Sequence, residues 1–172
     1  HTIQNNLIIT FQLNSYWAEA TQRRCVPKAI KEAQNRWYLI GYDLDREDFR
    51  NYGLDRITNF EITSSKKATP NININDEYKN AFGIETYGEP TTILIEFENS
   101  QKEYIKSLPF HPSQKIVAEN NKSFIIEFFM HPTFDFIMEI LRFGSWCEVL
   151  EPNEYRNQIK EVVNQMNRKY NK

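Results

Sequence analysis

Six of the nine arginines, Arg23, Arg24, Arg36, Arg46, Arg50 and Arg56, lie in the first third of this 172-residue chain. The stretch 35–57, NRWYLIGYDLDREDFRNYGLDRI, sets four of them among one Trp, three Tyr and one Phe. A guanidinium is a planar fork of donors that matches phosphate oxygens. Tyr and Trp offer flat faces on which a base stacks, typically for ~1–3 kcal/mol per base. Together these side chains suit a nucleotide or a single-stranded nucleic acid. A second reading pairs the same arginines with Asp43, Asp45, Asp48 and Asp55 as a solvated sheet face. On a regular strand Arg36, Tyr38, Ile40 and Tyr42 share one face, and Trp37, Leu39 and Gly41 the other. Arg50, Tyr52, Leu54 and Arg56 share a face of the return strand. The hairpin is therefore expected to project two arginines and two tyrosines on one side.

Other reactive side chains are sparse. His111 (PFHPSQ) and His131 (FMHPT) each precede a proline, which favours extended backbone at element ends. Cys147 with a histidine lacks the third group and the Gly-rich turn that would support nucleophilic catalysis. His111, His131 and Cys147 lack metal-ligand spacing, and no P-loop, GxGxxG or HExxH occurs. Ser113 and Gln114 serve either a ligand or the chemistry of their own turn. The chain is expected to be no enzyme, with no cofactor and no metal.

Composition narrows the class. The formal net charge is -2, so the chain as a whole is not a basic nucleic-acid binder. Residues 1–88 carry 11 basic and 11 acidic side chains, and 89–172 carry 10 and 12. Cys25 and Cys147 are far apart and read as reduced thiols. With no membrane-length apolar run and no signal peptide, the expected location is cytoplasmic. The chain opens on His1 and enters a strand pattern almost at once. A further N-terminal segment is expected to precede it.

The elements that hold the arginines alternate with period two. LIITFQL (7–13) reads as a strand, RRCVP as a second short strand in which Pro27 ends the ladder or sits on an edge, and KAIKEAQN as a helical turn or loop. RWYLIGYD is a strong strand, LDRED a tight turn, FRNYGLDRI its return, and TNFEITSSK one strand more. Five short strands suggest a strongly bent sheet or barrel over 1–66. Residues 67–90 read as a linker in which NDEYKNAFGI is a short helix. From 91 to 172 the order is strand (TTILIEFE), helix (SQKEYIKSL), a hairpin turning at Asn120–Asn121, helix (TFDFIMEILRFG, closed by Gly144), strand (WCEVLEP) and a final amphipathic helix. This β-α-β-β-α-β order is the split βαβ plan.

Trp37–Tyr38–Leu39, preceded by Ile9 to Leu13 and RRCVP and followed by FRNYGLDRI, resembles the WYL domain. TILIEFE, PFHPSQ and ILRFGSWCEVLEP are similar to the WYL C-terminal extension. The wording is nearest to Bacteroidetes-type helix-turn-helix regulators, and the resemblance runs over roughly 7–170. It implies an α+β chain: a small SH3/Sm-like β-barrel, then a ferredoxin-like βαββαβ extension. It implies the ligand-sensing domain of a bacterial transcription factor, whose effector is a nucleotide or single-stranded nucleic acid held on an Arg-rich barrel face. Duplex DNA would be met only through an N-terminal helix-turn-helix outside this chain, and the protein would be a homodimer with no membrane association.

Carried over by position, the ligand-binding residues are Arg24 with Arg23 beside it, Arg50, Arg56 and Tyr16. Tyr38 is added as the polar member of the tripeptide. Trp37 and Leu39 are assigned to barrel packing. Where relatives read His-Pro-Tyr this chain reads Val26–Pro27–Lys28, so Lys28 joins the ligand-binding set. An alternative is a standalone accessory protein that binds a partner protein or RNA in a defence system.

Overall fold

The computed structural model describes residues 2–171. It is a mixed α+β chain of two compact units, His1–Glu77 and Tyr78–Lys172.

The first unit is one antiparallel five-stranded sheet. Its strands are β1 (Leu7–Leu13), β2 (Thr21–Ala33), β3 (Arg36–Asp43), β4 (Asp48–Gly53) and β5 (Ile57–Lys66), in the order β4-β3-β2-β1-β5. The expected barrel is not closed: among the described residues no ladder joins β4 to β5. A 3-10 turn, Leu54–Arg56, separates these two strands.

KAIKEA is strand, not helix or loop. It continues β2 to Ala33, and Ala29 to Ala33 pair residue by residue with β3. The two-residue loop Gln34–Asn35 has positive φ at both positions (51° and 62°). That turn geometry matches the twist of the flanking strands, and the Asn35 amide is held by Glu32 Oε1 at 2.7 Å. Pro27 does not end the ladder. It sits inside β2, and the register shifts between Pro27↔Gly41 and Ala29↔Ile40, which makes Lys28 the extra residue of a β-bulge. A proline without an N–H is tolerated at such a site.

The small core contains Ile9, Phe11, Cys25, Leu39 and Tyr52. Tyr52 packs edge-on to Phe11 at 5.1 Å. Gly41 faces this core because a Cβ there would come 2.8 Å from the Cys25 sulfur. Trp37 does not belong to the core: it is 56% exposed, while Leu39 is 5% exposed. Both face the same side, but Trp37 lies two residues nearer the hairpin tip, past the reach of the buried cluster.

Helix α1 (Ile74–Tyr78) is shorter than the sequence pattern suggested. Asn73 precedes it, and its side-chain oxygen accepts from the Asn75 amide. The second unit follows the order β6 (Thr91–Glu98), α2 (Lys102–Ser107), β7 (Lys115–Glu119), β8 (Ser123–Met130), α3 (Phe134–Leu141), β9 (Cys147–Glu151) and α4 (Asn153–Tyr170). Its sheet is antiparallel with order β7-β8-β6-β9. Alternation puts Ile93, Ile95 and Phe97 opposite Phe128, Ile126 and Phe124. This face packs with Ile105 of α2 and with Phe136, Ile137 and Ile140 of α3. Asn120 makes the β7–β8 turn, its Oδ1 accepting from the Lys122 and Ser123 amides. Among the described residues no helix is long and apolar enough to cross a membrane.

Candidate ligand-binding face

The β3–β4 loop decides where the hairpin arginines point. Asp43 pairs with Asp48 across a four-residue loop, so each even-numbered residue of β3 meets an odd-numbered one of β4, and each odd one an even one. Arg50 therefore sits opposite Gly41, and Tyr52 opposite Leu39. Cross-strand partners share a face. Arg50 and Tyr52 accordingly face the core side, away from Arg36 and Tyr38. The expected projection of all four on one side does not occur, because a loop one residue longer or shorter would have been needed.

Asp43 fixes that loop. Its carboxylate is fully buried. It accepts from the Tyr52 hydroxyl at 2.6 Å, from the Asp45 and Arg46 amides at 2.9 and 3.0 Å, and from the Arg46 guanidinium at 3.3 Å. Burial pushes its pKa up, but the bonds from Tyr52 and the two amides, with the Arg46 charge, outweigh it and hold the carboxyl below its ordinary value. Burial first, and then the Asp43 carboxylate, push the Tyr52 hydroxyl well up.

The sequence-derived set divides into two groups and three further members. At the β3–β4 end, Arg24 forms an exposed ion pair with Asp45, and Arg50 one with Asp48 at 3.0 Å. At the opposite end, Arg56 donates from Nε to the Asn14 carbonyl at 2.8 Å and lies over the Tyr16 ring, 5.0 Å from its centroid. Tyr16 donates to Asp55 at 3.1 Å, and Arg36 approaches both the Tyr16 hydroxyl and Asp55 at 3.4 Å. Hydrogen bonding to Tyr16, with the Tyr16 and Asp55 charges, raises the Arg36 pKa further. Gly53 permits this arrangement: a Cβ there would come 2.7 Å from Asp55 Oδ1.

Of the further members, Arg23 is half-buried, pairs with Phe11 in the ladder, and keeps its Nε buried without a hydrogen bond. Lys28 donates to Asn6 Oδ1 at 2.9 Å, and burial lowers its pKa. Tyr38 is half-buried opposite Gly53. Arg50 lies level with Gly41, about 16 Å along β3 from Arg36, and on the opposite face, so the two arginine groups do not converge on one mononucleotide.

Arg36 and Asp55 belong to the Tyr16 group without being in the sequence-derived set, and Trp37 adjoins them at the strand end from the other side of the sheet. Arg36, Trp37, Asn35, Leu54 and Asp55 line one open recess. The signal for it was present in Gln34–Asn35: a two-residue turn there makes Arg36 and Trp37 the first, least covered residues of β3.

The other reactive residues have structural partners. His111 engages Ser113 Oγ at 2.7 Å and the Lys79 carbonyl at 2.9 Å, and burial lowers its pKa. Ser113 Oγ also accepts from the Phe129 amide, and Gln114 from the Phe110 amide. His131 bonds the Gly88 carbonyl at 2.6 Å. Burial pushes the Cys147 thiol up to about 11.

Residues 1–62 match the model of the WYL domain, and residues 89–166 match that of the WCX domain. The chain carries a WYL domain followed by a WCX domain. Among solved structures it is similar to one described as a CRISPR Cas-related protein, at 16% identity and a TM-score of 0.60, over 98% of this chain and 49% of that one. It is also similar to proteasome accessory factor B/C (PafBC) of Arthrobacter aurescens, at 17% identity and a TM-score of 0.42, over 92% of this chain and 24% of that one. The chain thus spans about half of the former's length and a quarter of the latter's. The WYL domain holds every residue of the candidate face.

Proposed function

We propose that this chain is the sensing part of a bacterial transcription regulator. Its WYL domain takes a nucleotide or single-stranded nucleic-acid effector on the arginine-bearing face. The observation that carries this reading is the pair Arg36 and Arg56, set around Tyr16 with one carboxylate, Asp55, between them. Two cations against one anion leave the site positive, and the exposed Trp37 ring beside it offers a stacking face. Arg24 and Arg50, with exposed partners, are available to a longer strand at the far end of β3.

In this reading the chain is not catalytic. It works in a homodimer, and duplex DNA is contacted by a helix-turn-helix elsewhere in the protein. The effector acts by binding two states of the dimer unequally. The fold names that belong to the reading are an SH3/Sm-like partial barrel and a ferredoxin-like WCX domain; the strand orders of the two sheets support them.

Fluorescence anisotropy with labelled single-stranded oligonucleotides at low salt is the test. Arg36→Ala and Arg56→Ala are each expected to weaken binding and to lower the salt slope by about 0.7, one phosphate contact on a single strand. Absence of binding to any DNA oligonucleotide or nucleotide at low salt refutes the reading. Binding confined to RNA or to a partner protein would favour the accessory-protein alternative.

A further inference from the structure

The inner side of the WYL sheet carries an apolar cleft whose lining contains no arginine. Its floor is Ile9 and Leu39, both buried. Its walls come from Ile30 of β2, Leu54 of the 3-10 turn, and Ile57 and Phe60 of β5. Thr2 is the single polar side chain among the residues that line it. Ile30 is 54% exposed and Phe60 52%, so large apolar surfaces stand open to water at the rim. Ile30 reaches this side only because the bulge at Lys28 resets the alternation of β2.

Volume and charge define the occupant. The cleft holds about 290 Å³, at the small end of ligand pockets. A helix, about 10 Å across, does not fit such a space. Leu54 lines both this cleft and the recess of Arg36 and Asp55, so the two spaces adjoin at that one side chain. A molecule with an apolar body and one anionic end matches both parts.

We propose that the cleft of Ile9, Ile30, Leu39, Leu54, Ile57 and Phe60 is a binding site for a small amphipathic anion, such as a medium-chain carboxylate, with its charged end at Arg36. The cleft itself is separate from the proposed nucleic-acid face and shares only Arg36 with it, so a phosphate at Arg36 and the carboxylate would compete for that one side chain. Burial of apolar surface supplies most of the affinity, and Arg36 selects for the anion.

The test is titration of the chain with decanoate, decanol and butyrate below their aggregation limits, read by displacement of 1-anilinonaphthalene-8-sulfonate fluorescence. Saturable binding of decanoate is expected, tighter than decanol and much tighter than butyrate. Ile30→Glu and Phe60→Glu place a carboxylate at the rim and are expected to weaken decanoate by about tenfold or more. Arg36→Ala should bring decanoate down to decanol, and Arg50→Ala should change neither. Methyl shifts of Ile9, Ile30, Leu39, Leu54 and Ile57 in the native chain report the same event without any substitution.

No saturable decanoate binding, no response of these methyl groups, or equal affinity of the two glutamate variants and the native chain overturns the proposal. So does decanol binding as tightly as decanoate, or sedimentation that shows the cleft closed by a second copy. An oligonucleotide result in either direction leaves this outcome separate, because Ile30→Glu is expected to retain whatever oligonucleotide binding the native chain has.

Discussion

Tyr52→Phe removes one oxygen from a buried bond and leaves the ring against Phe11. The lost bond is the 2.6 Å contact to Asp43, a hydroxyl donating to a buried carboxylate, which belongs to the stronger charge-assisted class. Asp43 would keep the two loop amides and Arg46, but Oδ2 would lose its nearest donor. Loss of a hydrogen bond to a charged buried group costs about 1.5–3 kcal/mol, and a drop in the stability of the first unit of that order is expected at pH 7. The pH dependence gives a second readout. The folded-state pKa of Asp43 is depressed. Its contribution is therefore present above the ordinary aspartate pKa of about 3.9 and is lost as pH falls through the lower folded value. Removing the hydroxyl would relieve part of that depression, so native and variant stabilities should converge toward acid pH. Urea unfolding followed by the Trp17 and Trp37 indole resonances, at neutral pH and near pH 3, reads the first unit by itself. A loss under about 0.5 kcal/mol at pH 7, or a gap that does not narrow in acid, would refute the assignment of Asp43 as the anchor of the β3–β4 loop.

Trp37→Ala should lower stability by less than about 1 kcal/mol, whereas Leu39→Ala should cost roughly 2–5 kcal/mol; thermal melts of the pair show whether the tripeptide divides as described. Gly41→Ala should destabilise by about 1–3 kcal/mol through the clash with the Cys25 sulfur, and Cys25→Ala in the same chain should recover much of the loss in a double-mutant cycle. Iodoacetamide at pH 7.5 should label the folded chain slowly, since burial holds the Cys25 and Cys147 thiols at about 12 and about 11, and mass spectrometry after urea should show both modified.

The parts of the fold legible in the sequence were those with strong alternation. LIITFQL and RWYLIGYD read as strands and are β1 and β3 with the same limits. The order of elements from TTILIEFE onward is also present as read. KAIKEA failed because its apolar residues are Ala and Ile among lysines, a pattern equally suited to a helical turn. Pairing with β3 through the Gln34–Asn35 turn decides it, and that partnership is not local. Trp37 failed for a related reason: a large aromatic in a strand is assigned to the core by type, but the distance from the hairpin tip sets its burial. For the candidate face, residue types were legible and grouping was not. Arg50 and Arg36 are separated by the parity of a four-residue loop, while Arg36 and Arg56 are brought together by a 3-10 turn that alternation does not foresee.

The bulge at Lys28 also gives β2 slack in length. Pro27 and Ala29 meet neighbouring residues of β3 with Lys28 as surplus. Loss of Lys28 itself can be absorbed by ironing the ladder flat, with residues 29–33 keeping their partners, whereas loss of a residue beyond it turns those between to the other face. A gained residue has no such outlet and must double the bulge or slide the hairpin tip. Deletion of the Lys28 codon should therefore be tolerated more readily than deletion of any one codon from 29 to 33 or a single-codon insertion, a contrast that a scan of both kinds would reveal.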